Sequence, residues 1–261
     1  MPRMFHELVG DPSDGVPLLL LHGMFASRRL WDLNRDALAA RFPLILVDLP
    51  GHGASPPLTE GEDASPAAMV AELERIRAAL GVDRWCLCGQ SFGAGVTLHY
   101  ALAHHARVVA QAFTNSRTLF RDAFGPAETA IREDRIARIT AGGREAMGNE
   151  TFHPRNARRF PEPIKAQLAD DAERVDIATY LRLIGETSPA LSLHGRDARP
   201  RVPTLLVNGR HERAFQPCRA ELPTLWPEVE IADIDGGHAV QIENPEGFNA
   251  ALSGFLGRQL G

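Results

Sequence analysis

Ser91 constrains this chain more than any other residue, because it stands in the stretch Cys88-Gly89-Gln90-Ser91-Phe92-Gly93-Ala94-Gly95. Upstream, Asp83 to Cys88 reads as a short buried strand; downstream, Val96 to Ala103 reads as a helix. A serine flanked two residues away by glycines, at a strand-to-helix corner, is the G-x-S-x-G nucleophile elbow. The turn forces the serine into a strained backbone, and a Cβ two residues before or after it would collide with the neighbouring strand or helix. Glycine-rich loops produce the same pattern by chance. The strand–turn–helix setting gives it weight here.

Around that corner, apolar strand-like runs alternate with helical patterns. Leu18 to Leu21 ends at His22-Gly23, and a helix carrying Trp31, Leu33 and Leu38 follows, started by Ser27. Pro43 to Asp48 is another continuous apolar run, of the kind buried on both faces of a parallel sheet. Ser65-Pro66 opens a helix through Met69, Leu73, Ile76 and Leu80, with serine as N-cap and proline in the first turn. Arg107 to Phe113 reads as a strand. This alternation predicts an α/β fold with a mostly parallel, doubly wound sheet.

After Thr114 the rhythm breaks, and the next ~85 residues show helical periodicity with almost no strand-like run. Helices are expected over Ala127–Thr140, Pro163–Asp171 and Ile177–Gly185, separated by Gly142-Gly143 and by Phe160 to Pro163. Sheet logic resumes at Pro203 to Asn208 and at Val229 to Ile234, and a last helix begins at Asn244-Pro245. The expected organisation is a core of residues 1–116 and 201–261, with residues 117–200 inserted as a helical cap.

Composition removes several classes of function. Net charge is −5 over 261 residues, and no basic tract would follow a phosphate backbone, so nucleic acid is not an expected partner. Charge is uneven: residues 117–201 hold 15 Lys and Arg against 13 Asp and Glu, leaving 13 against 20 elsewhere. The longest apolar run, Val16 to Leu21, is strand-sized, so no membrane span is expected. The first residues, Met1 to Glu7, lack a signal-peptide core, which makes the cytoplasm the expected location. Cys86, Cys88 and Cys218 show no metal spacing and read as structural thiols; no metal or organic cofactor is expected.

Four motifs together resemble the α/β-hydrolase superfamily over nearly the whole chain: Leu21 to Ser27, Asp48 to Ser55, the elbow at Ser91, and Gly236 to Pro245. The resemblance implies an α/β-hydrolase fold and a serine nucleophile. A serine hydroxyl is a poor nucleophile at neutral pH and needs a base. His238, in a glycine-bracketed loop after the last strand, stands where the family keeps its histidine. The family usually places an aspartate a few residues past a glycine after the seventh strand. Here the loop reads Asn208-Gly209-Arg210-His211-Glu212-Arg213, so Glu212 occupies that slot. Surface pairing of Glu212 with Arg210 or Arg213 is the competing role, and Asp235 is a rival acid. The other family position, after Phe113, offers Asn115 and no carboxylate. Backbone N–H groups of Met24 and Phe92 are the implied oxyanion donors. Phe25, Arg117 and Arg121 are candidate pocket residues.

A serine nucleophile implies acyl transfer to water, so the expected activity is cleavage of a carboxylic ester, thioester or lactone through an acyl-enzyme on Ser91. The expected partner is a small acyl substrate, with the chain as monomer or homodimer. Asp48 to Gly53, Glu212 to Gln216 and Gly237-His238 with Glu243-Asn244-Pro245 also resemble the succinyl-hydroxycyclohexadiene-carboxylate synthases of menaquinone biosynthesis. Those use the same triad for proton abstraction and elimination of pyruvate. They usually have an arginine just after the elbow glycines to hold a substrate carboxylate, where this chain has Ala94-Gly95. Arg117 and Arg121 are the available substitutes. A non-catalytic binding module on the same scaffold is the third alternative, although such proteins usually lose a triad member.

Overall fold

Four consecutive leucines, Leu18–Leu21, form a strand in which every side chain is buried, because the sheet is covered on both faces. Leu18 and Leu20 pack with Trp31, Leu38, Phe248 and Phe255 on one face. Leu19 and Leu21 pack with Met69, Leu73, Ile76 and Tyr100 on the other. Each such leucine contributes roughly 1.5–3 kcal/mol of transfer free energy. The computed structural model describes residues 3–196 and 198–261. Met1 and Pro2 of the expected core and Asp197 of the expected cap lie outside the described residues.

In chain order the first elements are β1 (His6–Val9), β2 (Leu18–Leu21), α1 (Asp32–Ala39), β3 (Leu44–Val47), α2 (Pro66–Ala79), β4 (Trp85–Gly89), α3 (Phe92–Ala103) and β5 (Val108–Thr114). Next come α4 (Arg117–Phe120), α5 (Pro126–Gly148), α6 (Glu162–Glu173), α7 (Ile177–Arg182) and α8 (Ser188–Ala190). The chain then returns to the sheet through β6 (Thr204–Gly209), α9 (Gln216–Leu225), β7 (Glu230–Ile234), α10 (Val240–Glu243) and α11 (Pro245–Leu260). The seven strands lie in the order β1-β3-β2-β4-β5-β6-β7. All neighbours are parallel except β1, which runs antiparallel to β3. No described helix is long and apolar enough to cross a membrane.

Local sequence signals account for most helix starts. Ser65 caps α2 by accepting from Ala68 N–H, with Pro66 in the first turn, and Asn244 caps α11 by accepting from Gly247 N–H. Two elements were not expected: β1 and α9 carry no clear pattern. The Gly142-Gly143 pair interrupts the helix as expected: Gly143 lies at φ 54°, ψ −135°, outside the helical region, so α5 consists of two helical segments meeting at a kink. Glycine tolerates that conformation.

The loops after β2 and β3 are braced by buried histidines. His22 Nδ1–H donates to Gly23 O at 2.7 Å, and its Nε2 accepts from Leu49 N–H at 3.0 Å. His52 donates from Nδ1 to Pro50 O at 2.9 Å. Burial pushes both below the usual histidine range, His52 to about 3. In the unfolded chain each takes a proton near pH 6.5, so their stabilisation is complete above that pH and is lost as pH falls towards the folded value. Urea denaturation should therefore show stability falling between pH 6.5 and 5, by up to about 1.4 kcal/mol per pH unit for each histidine. His52→Gln should flatten that slope; an unchanged slope would exclude His52 as its source.

Candidate active site

The elbow forms because three backbone paths meet with no room for a Cβ. A Cβ on Gly89 would lie 2.5 Å from Gly93 O and 2.6 Å from Ala94 Cα; one on Gly93 would lie 2.4 Å from Leu21 O and 2.5 Å from His22 O. Between them Ser91 adopts φ 53°, ψ −111°. Phe25, at φ 61°, is the one other non-glycine residue with positive φ among the described residues. Both strained residues belong to this site, where local strain of about 1–3 kcal/mol each is held by surrounding structure.

Ser91 Oγ–H donates to His238 Nε2 at 3.0 Å, and His238 Nδ1–H donates to Glu212 Oε2 at 2.9 Å. The three residues come from β4–α3, the β6–α9 loop and the β7–α10 loop, so the parallel sheet brings the ends of β4, β6 and β7 to one edge, with β5 between β4 and β6. Glu212 is 9 % exposed, and the His238 side chain is 20 % exposed. Glu212 faces the imidazole, not the flanking arginines. Asp235 points elsewhere: its carboxylate accepts from His211 Nε2 at 2.5 Å and from Arg210 at 3.4 Å, and its side chain is two-thirds exposed.

Further side chains around the triad hold its loops in place. Asn115 donates from Nδ2 to Gly209 O at 2.9 Å and accepts from Gly209 N–H at 3.0 Å, clamping the Glu212 loop to the end of β5. Gln90 donates from Nε2 to His238 O at 3.4 Å. The histidine loop is tied further by Gly237 N–H donating to Glu243 Oε2 at 2.8 Å. Asn115 thus occupies the alternative acid position as a backbone clamp. Its asparagine side chain was visible in the sequence; its partner 94 positions away was not.

A cavity of about 430 Å³ opens onto Ser91 and His238, lined by Met24, Phe25, Phe92, Arg117 and Arg121 among others. The Gly23 loop passes so close that a Cβ there would lie 3.0 Å from Ser91 Cβ. Neither Met24 nor Phe92 N–H meets an acceptor among the described residues, so both are available as donors beside Ser91. The Phe25 ring lines the cavity but is 1 % exposed, packed against Tyr180 at 4.8 Å and His153 at 5.3 Å. Arg117 and Arg121 share one carboxylate, Glu128, at 3.5 and 3.0 Å. Desolvation holds the Arg121 guanidinium below its usual range. Arg135, Arg158 and Arg159 also line the cavity. No group of three or more His, Cys, Asp or Glu among the described residues could hold a metal ion.

Residues 18–251 match the model of the alpha/beta hydrolase family. A protein of Azorhizobium caulinodans named "Putative carbamate hydrolase RutD" is 30 % identical over 270 residues, covering 97 % of this chain and 95 % of that one. MenH from S. aureus superposes with a TM-score of 0.84 at 19 % identity, covering 98 % and 99 % of the two chains. The enol-lactonase from Burkholderia xenovorans LB400 superposes with a TM-score of 0.78 at 20 % identity, covering 97 % and 96 %.

The elbow geometry makes a direct prediction. Gly93→Ala should lower stability by at least about 2 kcal/mol, because the obstacles are backbone carbonyls that cannot rotate away. A thermal melt within a degree or two of the parent would show that the corner can relax.

Proposed function

The chain belongs to the alpha/beta hydrolase family, and from that premise we propose that it is a serine hydrolase cleaving a carboxylic ester, or a related thioester or lactone, through an acyl-enzyme on Ser91. The continuous relay from Ser91 through His238 to Glu212 carries this reading. His238 takes the Ser91 proton as Oγ attacks the carbonyl carbon, and the Met24 and Phe92 N–H groups receive the developing oxyanion. The imidazolium, held and stabilised by Glu212, then gives its proton to the leaving group. Water repeats the sequence on the acyl-enzyme and frees Ser91. Each oxyanion donor stabilises the transition state by about 3 kcal/mol. The names of the relatives, a carbamate hydrolase and an enol-lactonase, favour a carbonyl bearing a heteroatom leaving group.

A second reading turns the same three side chains to proton abstraction and elimination. It draws on the five arginines at the cavity, which suit a substrate bearing carboxylates. Release of pyruvate from the menaquinone intermediate tests it directly, and absence of turnover removes it.

Ser91→Ala should abolish fluorophosphonate labelling and cut turnover of short-chain p-nitrophenyl esters by about 10⁴-fold or more, with the fold intact. Substantial residual turnover in a well-folded variant would reject Ser91 as nucleophile. Glu212→Gln should cost about 10³- to 10⁴-fold in kcat, by analogy with amide replacement of a triad acid. Asp235→Asn should stay within about twofold. A larger loss in the second variant reverses the assignment of the acid.

A further inference from the structure

The proposed relay leaves one feature of the cavity without a role: an aromatic ring laid on the imidazole from the helical insertion. The Phe152 ring centroid lies 4.2 Å from that of His238, with the planes 31° apart, a close tilted contact. His238 is the ring partner the structure gives to Phe152, and Phe152 remains 51 % exposed. Phe152 takes no part in the nearby buried cluster of Phe25, Met147 and Tyr180.

The segment that presents Phe152 is firmly held on both sides. Just before it, Glu150 is 9 % exposed and pairs with Arg135 at 2.5 Å and Arg138 at 3.2 Å. Just after it, His153 is buried against Phe25. Asn156 donates from Nδ2 to both Gly148 O and Glu150 O at 3.0 Å, closing the loop on itself. An anchored loop therefore holds a half-exposed ring over one face of the imidazole.

We propose that Phe152 is a positioning residue for His238, holding the imidazole in the plane of the Ser91–His238–Glu212 relay and laying an aromatic face against the imidazolium formed on proton transfer from Ser91. The contact matters most when His238 carries the proton taken from Ser91. A π face attracts a cation stacked against it, and a ring wall restricts rotation of the imidazole away from its two hydrogen bonds. The inference rests on the serine-hydrolase reading, since it acts through the same base.

Three variants separate the aromatic face from simple bulk. Phe152→Leu keeps apolar volume without a π face, Phe152→Tyr keeps the ring, and Phe152→Ala removes both. The measurements are the rate of Ser91 phosphonylation by a fluorophosphonate probe, kcat and KM on p-nitrophenyl acetate, and the thermal melt. Phe152→Leu should slow labelling and lower kcat by about 3- to 30-fold, the range of a partly desolvated cation–π contact, with KM within about twofold. Phe152→Tyr should restore both rates, and all melts should stay close to the parent because the side chain is half exposed. Equal rates for the leucine and parent proteins overturn the proposal, as does a change confined to KM, which would make Phe152 a pocket wall. A parent protein that resists labelling removes the serine reading itself, and this inference with it. Labelling abolished by Ser91→Ala but unaffected by Phe152→Leu removes this inference alone.

Discussion

The backbone of Ser91, at φ 53°, ψ −111°, is held in a region that disfavours any side chain, and the rest of the site is arranged around that fact. The strain is stable because the flanks cannot relax: the strand entering the corner is fully buried, the helix leaving it is buried from Phe92 to Leu98, and Gly89 and Gly93 are already in contact with neighbouring backbone. The corner lifts Oγ clear of the sheet at the ends of the parallel strands. There the β6 and β7 loops deliver a carboxylate and an imidazole from more than a hundred residues away. A parallel sheet makes this convergence economical, since successive strands end on the same edge.

Those two loops are also joined directly to each other. His211 N–H donates to Gly236 O at 2.8 Å and Arg210 N–H to Ile234 O at 3.0 Å. A Cβ on Gly209 would overlap Gly237 O at 1.9 Å, so glycine is required for the approach. The acid and the base are therefore positioned relative to one another by backbone, and the Asn115 clamp fixes the pair against β5. Glutamate in place of the more usual aspartate fits this arrangement: its carboxylate reaches Nδ1 at 2.9 Å from a loop that stays bonded to its neighbours.

Ser91 could be singled out from sequence because it sits between glycines at a strand end, His238 and Glu212 because the resemblance to the family points to their loops, and the buried strands because their apolar runs leave no other solution. Other elements carry no such imprint. β1 is a half-buried edge strand of four residues, His6–Val9, too short and too exposed for an alternating pattern. α9 contains Pro217 and Pro223 and buries Leu222 as its one fully covered side chain, so neither propensity nor periodicity announces it. Gln90, Asn115 and Phe152 act through partners 148, 94 and 86 positions away, and no local rule predicts such contacts.

The helical insertion is bound to the core through buried polar contacts, and this bears on how the site could change shape. Ser27 Oγ–H donates to the buried Asp171 carboxylate at 2.6 Å, Asp176 N–H donates to Gly51 O at 2.9 Å, and Leu58 N–H donates to Thr179 Oγ1 at 2.9 Å. The neighbouring Phe25 packs inside the insertion's own apolar cluster, beside Ile139, Met147 and Tyr180. Removing one partner of a buried, hydrogen-bonded pair costs several kcal/mol, so rigid lifting of the whole insertion would break interactions that are expensive to leave unmade. The loop that carries Met24 N–H lies between these anchor points, at Ser27 and Phe25 on one side and the elbow on the other. The donor is therefore held by core and insertion together. Substrate entry is best accommodated at the exposed rim, around Arg158, where a side chain can move without disturbing the packed interface.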